Sequence, residues 1–300
     1  MASITDWVTG ARVRTLPLAF SPVILGSAIA YSIDGFDPLI ALLALLVAVF
    51  LQLGVNFSND YSDGVRGTDE FRVGPQRLTG SGAVEPRKVL QVALVFFALA
   101  ALSGLVIVVL TAQWWLLLIG ALAILAAWYY TGGKDPYGYA GLGELSVFIF
   151  FGPVATLGTS FAQTLVFQPD AVMAGIGLGS IAAAVLVTNN IRDIETDRQA
   201  GKRTLAVFMG SKASKSLYLF LIWVPMIITL PYVLAYPATI LSWLVLLLVI
   251  PLSLLVPTAK GPKELILALK LTSYASVAWA VTLAIGISLV SKGEIGRAHV

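Results

Sequence analysis

The chain has 300 residues and a formal net charge of +3, and 58% of its residues are hydrophobic while only 12% are charged. Because soluble domains carry about 25% charged residues, this composition excludes an ordinary soluble protein and predicts a polytopic membrane protein. The sequence contains no cysteine and one histidine, His299, which excludes disulfides, a thiolate nucleophile and a cysteine-ligated zinc site.

Nine apolar runs are close to the roughly 20 residues that a helix needs to cross about 30 Å of hydrocarbon. Their approximate limits are 16–33, 38–60, 88–110, 114–131, 142–166, 171–194, 214–235, 238–257 and 270–291. The sequence therefore predicts an all-α fold, a bundle of nine transmembrane helices in a single domain over residues 1–292. We interpret residues 293–300, which contain His299, as a non-native tail.

Proline and glycine occur inside several of these runs. Close helix packing is predicted at Gly175, Gly177 and Gly179, because small residues let two membrane helices approach each other. Membrane helices tolerate proline where neighbours satisfy the freed carbonyl groups. Kinks or breaks are therefore expected at Pro22, Pro153, Pro225, Pro231 and Pro251.

The second apolar run ends in a polar stripe. At 100° per residue, Asn56, Asn59, Asp60 and Asp63 fall within about a quarter-turn of one another on a helix. Glycines then release the helix into a loop that holds Asp69. Carboxylates at a membrane edge are costly, so they are candidates for function.

The sixth run ends in a similar pattern, which contains Asn189, Asn190, Arg192, Asp193 and Asp197. Ordinary surface acids at a solvated helix end explain one such motif, but two matched motifs are improbable on that explanation. The carboxylate and amide oxygens are hard ligands, which favour Mg²⁺ over zinc or copper. We predict a Mg²⁺ and diphosphate site whose metal ligands are Asp60, Asp63, Asp193 and Asp197.

Basic side chains lie beside both motifs and are available for the phosphate charge: Arg66, Arg72 and Arg77 follow the first motif, and Arg192, Arg198, Lys202 and Arg203 surround the second. Arg14 lies immediately before the first apolar run. The alternative role for any one of them is membrane topology and contact with anionic lipid. Between the fourth and fifth runs, a glycine-containing loop adds Tyr130 and Lys134 as two further donors.

The distribution of basic residues predicts the orientation. Seventeen of the 19 lysines and arginines lie on the N-terminal side of the nine predicted spans, and the other two, Lys292 and Arg297, lie at the C-terminal end. The positive-inside rule places that side in the cytoplasm. We therefore expect a multi-pass protein of the cell (cytoplasmic) membrane, with its N-terminus and both acidic motifs facing the cytoplasm.

Three motifs resemble the UbiA superfamily of intramembrane aromatic prenyltransferases. Residues 59–63 match the first half of its Asn-Asp-x-x-Asp-x-x-x-Asp motif, residues 193–197 match its Asp-x-x-x-Asp motif, and Tyr130 with Lys134 fits its Tyr-x-x-x-Lys element. Within the superfamily, residues 14–17, 74–78, 81–82, 136–144 and 190–207 are similar to the 1,4-dihydroxy-2-naphthoate polyprenyltransferases of menaquinone synthesis. Asp69 departs from the pattern, because it follows Asp63 by six residues and not by four.

The resemblance implies a Mg²⁺-dependent transfer of a polyprenyl group from its diphosphate to 1,4-dihydroxy-2-naphthoate, with loss of CO₂, giving demethylmenaquinone. Catalytic roles are expected for Asp60, Asp63, Asp193, Asp197, Lys134 and Tyr130. Substrate binding is expected at Asn56, Asn59, Arg66, Asp69, Arg77, Asn189, Asn190, Arg192, Lys202 and Arg14. Among these we expect Lys134 or Arg14 to meet the acceptor carboxylate, and Arg77, Arg192 and Lys202 to face diphosphate.

The expected partners are the two substrates and membrane lipids, with no nucleic acid and no obligate protein partner. Three alternatives stay open. One is a different aromatic acceptor, such as 4-hydroxybenzoate. The second is an ion-coupled transporter, although the acids cluster at one face and not at mid-span. The third is a membrane phosphotransferase, whose longer acidic pattern on a single helix is absent from this sequence.

Overall fold

A computed structural model describes residues 2–69, 74 and 77–295, and side chains up to residue 289. Helices are the only regular elements of this part of the chain. They are α1 (Ile4–Ala11), α2 (Pro17–Ser32), α3 (Pro38–Val65), α4 (Pro86–Thr111), α5 (Leu116–Tyr129), α6 (Gly143–Thr164), α7 (Pro169–Gln199), α8 (Leu205–Ala235), α9 (Pro237–Thr258) and α10 (Pro262–Ile295). Each of the nine apolar runs corresponds to one of the helices α2 to α10.

Seven helices, α3, α4 and α6 to α10, are long and apolar enough to cross a membrane, so the all-helical membrane bundle is confirmed within the described residues. Residues Ile4–Thr15 and α2 form a pair bent by 44°, which gives up to eight spans when counted as one. Helix α5 has only 14 residues, about 21 Å at 1.5 Å per residue. The prediction of nine spans is therefore not confirmed by length and composition.

Helix α7 lies at the centre of the bundle. Of its most apolar stretch, 78% is buried, a larger share than in the other candidate spans. It packs against α6 on one side and against α8 and α10 on the other. The largest core cluster, which includes Trp279 and Tyr218, joins it to α8, α9 and α10. This arrangement fixes the end of α7 that carries the second acidic motif.

The close packing predicted at three glycines of α7 is confirmed. A Cβ atom on Gly179 would lie 2.4 Å from the carbonyl oxygen of Phe148, and one on Gly175 would lie 2.6 Å from Cα of Pro153. Gly177 meets the ring of Trp279 in the same way, at 2.4 Å. Because real Cβ atoms do not approach this closely, only glycine allows α6 and α10 to lie where they do.

The variant Gly179→Ala is expected to destabilise the protein by roughly 2 kcal/mol, because its methyl group collides with backbone that has no room to move. The matched control is Gly158→Ala in α6, where a Cβ atom meets nothing within 4 Å. Thermal unfolding of the detergent-solubilised proteins should show a lower midpoint for Gly179→Ala alone. Equal midpoints for the two variants would contradict the packing argument.

Irregular backbone marks one of the expected breaks and one break that was not predicted. Pro153 lies in a π-helical turn, Phe150–Val154, within α6. Such a turn contains one extra residue and accommodates a proline, which has no backbone N–H to donate. In α8, Gly210 has φ 74° and ψ 167°, which interrupts the helix after its first five residues. This conformation with positive φ suits glycine.

Candidate functional site

A cavity of about 620 Å³ lies between the helix ends that carry the two acidic motifs. Its polar end contains Asp63 from α3 and Asp193 with Asp197 from α7. Most of the remaining wall is apolar and comes from α3, α4, α5 and α6. Eleven of the sixteen candidate residues line it: Arg14, Asn56, Asn59, Asp63, Arg77, Tyr130, Asn189, Asn190, Asp193, Asp197 and Lys202.

Asp63 is the most heavily contacted carboxylate of the first motif, and only 4% of the residue is exposed. Its Oδ1 accepts hydrogen bonds from the Tyr139 hydroxyl and from Lys202 Nζ, the latter at 3.2 Å. Its Oδ2 lies 4.0 Å from Nη2 of Arg77. Two cations and one hydroxyl therefore converge on a single carboxylate at the edge of the cavity.

Asp60 is fully buried and has different partners. Its Oδ2 accepts from the backbone N–H of Leu78 at 2.9 Å, and its Oδ1 accepts from the N–H of Thr79 at 2.8 Å. Both oxygens are thus used to hold the turn that follows Arg77, and the side chain does not line the cavity. In this structure Asp60 helps to place Arg77 beside Asp63.

The asparagines of the first motif tie neighbouring segments to α3. Asn56 donates from Nδ2 to the carbonyl of Ala11 at 2.9 Å. Asn59 accepts from the Thr131 hydroxyl at 2.7 Å. Arg66 donates to the carbonyls of Thr131 and Gly133. The α5–α6 loop is therefore anchored to the end of α3, next to the acids.

In the second motif, Arg192 and Asp193 form a buried ion pair. Arg192 Nε donates to Asp193 Oδ1 at 2.7 Å, and Nη2 donates to Oδ2 of the same carboxylate and to Asn189 Oδ1. The arginine side chain is 1% exposed, and Arg192 is not part of the cavity wall. Arg192 therefore acts on the cavity indirectly: it fixes the orientation of Asp193, which lines the cavity.

Lys202 enters the cavity because the chain turns sharply after α7. Gly201 has φ 74°, a conformation that favours glycine, and the backbone N–H of Lys202 donates to the carbonyl of Asp197 at 2.8 Å. Thr204 Oγ1 donates to Asp197 Oδ2 at 3.4 Å. The turn therefore holds Lys202 between the two acidic helix ends.

Tyr139 is a cavity residue that the site prediction did not include. Lys202 Nζ lies 4.7 Å from the centre of its ring, and the Arg66 guanidinium lies 5.5 Å from it, both within cation–π range. Burial, followed by the negative charge of Asp63, raises the pKa of Tyr139. The hydroxyl therefore stays protonated and donates to Asp63. Its position in a polar loop next to Lys134 was the available signal.

Five candidate residues do not line the cavity: Asp60, Arg66, Asp69, Lys134 and Arg192. Lys134 is exposed in the α5–α6 loop. Asp69 is buried, and its Oδ2 lies 4.0 Å from Nε of Arg77, so it contacts the site through that arginine. Arg12, which was not predicted, does line the cavity; a left-handed backbone with φ 52° turns the chain there between α1 and the next turn.

Across residues 2–69, 74 and 77–295, no group of three or more histidine, aspartate or glutamate side chains forms a ready-made metal cluster. The carboxylates instead bind the basic and hydroxyl groups described above. The donor chemistry still fits Mg²⁺, because this ion commonly takes one or two protein carboxylates and fills its shell with water and phosphate oxygens. Asp63, Asp193 and Asp197 supply such oxygens on one cavity.

Comparison with known proteins decides the family. The profile of the UbiA prenyltransferase family matches residues 19–261. The chain belongs to the UbiA prenyltransferase family. This result confirms the resemblance that the motifs indicated. Alignments of this UbiA protein with several relatives extend over almost the full length of those relatives.

One such relative is the 1,4-dihydroxy-2-naphthoate octaprenyltransferase of Mycobacterium tuberculosis, which is 46% identical over 284 residues, 95% of this chain and 97% of that protein. The Escherichia coli protein of the same name is 40% identical over 210 residues, 68% of each chain.

Solved structures show the same fold. The apo structure of a UbiA homologue from Aeropyrum pernix K1 has a TM-score of 0.66 at 18% identity and covers 90% of this chain and 97% of its own. A UbiA homologue from Archaeoglobus fulgidus, bound to DMAPP and Mg²⁺, has a TM-score of 0.56 at 16% identity and covers 92% and 99%. The helical architecture is thus that of the UbiA family.

Proposed function

We propose that this enzyme transfers a polyprenyl group from polyprenyl diphosphate to 1,4-dihydroxy-2-naphthoate, with loss of diphosphate and CO₂. The observation that supports this best is a single cavity whose polar end holds carboxylates and cations from two helices and whose remaining wall is apolar. Relatives over 95% of the chain carry the name of this activity. The first product is the quinol, and its oxidation gives demethylmenaquinone.

Asp63, Asp193 and Asp197 are the proposed Mg²⁺ ligands, since all three line the cavity. Asp60 is a weaker candidate than the motif predicts, because its side chain does not line the cavity. When bound, the metal supplies Lewis-acid stabilisation of the charge that develops on departing diphosphate. The UbiA homologue from Archaeoglobus fulgidus was solved with Mg²⁺.

Lys202 and Arg77 are the proposed diphosphate-binding cations. Both lie at Asp63 and both line the cavity, so they are available for phosphate oxygens when these enter the polar end. Charge-assisted hydrogen bonds of this kind are stronger than neutral ones. They also strengthen as negative charge accumulates on the leaving group, which is the condition for catalysis.

The apolar wall has two proposed tasks. It binds the isoprenoid chain, and it keeps water away from the allylic cation that forms as the C1–O bond breaks. Phe150 and Phe151 of α6 and Tyr139 of the loop contribute aromatic rings to the cavity, and such rings stabilise cations. The electron-rich naphthoate ring then attacks C1, and loss of CO₂ restores its aromaticity.

For the acceptor carboxylate, Arg14 remains the proposed partner, because it lines the cavity whereas the exposed Lys134 does not. Lys134 stays a proposal on the basis of the motif alone. Arg12, next to Arg14 on the same wall, adds a second positive charge at this end. An aromatic acid entering here would place its ring against the apolar part of the cavity.

The decisive experiment is incubation of purified enzyme with Mg²⁺, a polyprenyl diphosphate and either 1,4-dihydroxy-2-naphthoate or 4-hydroxybenzoate, followed by mass spectrometry of the product. We expect prenylated naphthoquinone, no prenylated benzoate, and loss of turnover on chelation that added Mg²⁺ restores. Calorimetric binding of Mg²⁺ to protein without acceptor gives a second readout. Prenylation of 4-hydroxybenzoate alone would reassign the acceptor.

We further propose that α2 to α10 form nine spans with the acidic helix ends in the cytoplasm. A single cysteine can report this, because the chain has none of its own. In Glu195→Cys the thiol replaces a side chain that is 75% exposed beside the second motif, and in Phe36→Cys it replaces an exposed ring in the α2–α3 turn. A membrane-impermeant maleimide should label the first only in inverted vesicles and the second only in right-side-out vesicles; the reverse pattern would invert the topology.

A further inference from the structure

Glu144 is a buried carboxylate that the proposed mechanism does not use. It lies in the first turn of α6 and is 6% exposed. Its Oε1 accepts a hydrogen bond from Asn190 Nδ2 at 2.8 Å. Its Oε2 has no hydrogen-bond partner among the described residues. A carboxylate buried in a membrane bundle is costly and therefore a candidate for function.

The neighbours of Glu144 belong to the cavity wall. Asn190 and Tyr130 both line the cavity, and Glu144 lies behind them. A Cβ atom on Gly143 would lie 3.1 Å from the Tyr130 hydroxyl, so that hydroxyl is seated against the start of α6. Burial, followed by the negative charge of Glu144, raises the pKa of Tyr130. The phenol is thus kept in the form that can donate a hydrogen bond.

The contact with Glu144 decides which way the Asn190 amide points. A carboxylate only accepts hydrogen bonds, so the amide must turn its NH₂ group toward Glu144. Its Oδ1 is then the polar atom left for a ligand in the cavity. Without Glu144, the amide is free to rotate by 180° and to present a donor instead.

From this arrangement we infer that Glu144 is a positioning residue for the aromatic acceptor. It holds the Asn190 amide with Oδ1 available as an acceptor, and Asn190 together with the Tyr130 hydroxyl, a donor on the same cavity wall, binds one phenolic hydroxyl of the ring. The inference rests on the proposed function and identifies the residues that would recognise the acceptor. The 1-hydroxyl of the naphthoate is adjacent to its own carboxylate and bonds to it, so the 4-hydroxyl is the one that this pair reads.

The test compares 1,4-dihydroxy-2-naphthoate with 1-hydroxy-2-naphthoate, which lacks the 4-hydroxyl, as ligands of wild type, Glu144→Leu and Glu144→Gln. Calorimetric binding without prenyl donor gives the affinity ratio of the two acids for each protein. We expect wild type to prefer the diol by about 10-fold, one good hydrogen bond. Glu144→Leu should reduce the ratio to near 1, and Glu144→Gln, which can still accept from Asn190, should recover most of it.

The steady-state readout should separate substrates as well. Glu144→Leu is expected to raise the KM for the naphthoate about 10-fold while leaving the KM for prenyl diphosphate unchanged. Equal loss for both substrates, or an unchanged preference for the diol in Glu144→Leu, overturns the inference. If the leucine variant does not fold, Asn190→Leu gives the same comparison from the other side of the hydrogen bond.

The two proposals fail in different ways. If wild-type enzyme forms no prenylated naphthoquinone, the proposed function is wrong. If wild type is active and the variants keep its preference between the two acids, only the role of Glu144 is wrong. A merely structural contact would change the unfolding midpoint of Glu144→Leu and leave the affinity ratio as it is in wild type.

Discussion

Replacement of Asp63 by alanine is expected to lower kcat/KM for prenyl diphosphate by about 10³-fold, on the scale of losing a major electrostatic group of an active site. We expect this large effect because the side chains of Tyr139, Lys202 and Arg77 all contact Asp63 at the edge of the cavity. Asp63→Asn should lose nearly as much, since it keeps the shape of the side chain and removes its charge. Steady-state assays with saturating Mg²⁺ measure both.

The matched control is Glu195→Ala, which removes an exposed carboxylate from the acidic end of α7. Its activity should stay within a factor of two of wild type, because Glu195 does not line the cavity. Circular dichroism and gel filtration of Asp63→Ala show whether the fold is intact. A folded Asp63→Ala enzyme with wild-type turnover would remove the first motif from the proposed site.

Replacement of Lys202 by methionine is expected to reduce kcat/KM for prenyl diphosphate by about 10²-fold, with little change in the KM for the naphthoate. Methionine preserves the length of the stem and removes the ammonium group that lies between Asp63 and the ring of Tyr139. The substitution also leaves Asp63 with one cation fewer. Binding of prenyl diphosphate to the variant should weaken in parallel.

Lys212→Met is the control for general loss of positive charge, because Lys212 is exposed near the start of α8. It is expected to behave as wild type. An increase in the KM for the naphthoate alone in Lys202→Met would instead assign this lysine to the acceptor. That result would exchange the proposed roles of Lys202 and Arg14.

Much of this arrangement was predictable from local sequence. The helical period places Asn56, Asn59 and Asp63 on one stripe, and the structure brings that stripe to the cavity wall. The same helical spacing predicts that Asn189 and Asp193 share one face of α7, and both line the cavity. Close packing of glycines in α7 followed from residue size. Each of these features depends on one helix and its spacing.

Features that depend on the return of a distant loop were not predictable in this way. Asp60 lies on the same stripe as Asp63, yet the turn at Leu78 and Thr79 folds back to occupy both of its oxygens. Lys134 and Lys202 both follow glycines in polar loops, and only the turn at Gly201 brings its lysine inward. The role proposed for Glu144 could not be predicted from its own segment, because its hydrogen-bond partner, Asn190, belongs to another helix.

The short helix α5 makes the cavity wall sensitive to the thickness of the surrounding bilayer. Its roughly 21 Å length falls below the usual hydrocarbon thickness of about 30 Å, and none of its residues is buried against the rest of the bundle. Trp114 and Trp115, both exposed, precede it, and tryptophan prefers the water–lipid interface. As one of the nine proposed spans, α5 would require local thinning of the bilayer, snorkelling of flanking side chains or association with a neighbour to relieve this hydrophobic mismatch. Since α5 also lines the cavity, we expect the acyl-chain length of the host membrane to influence the shape of the site.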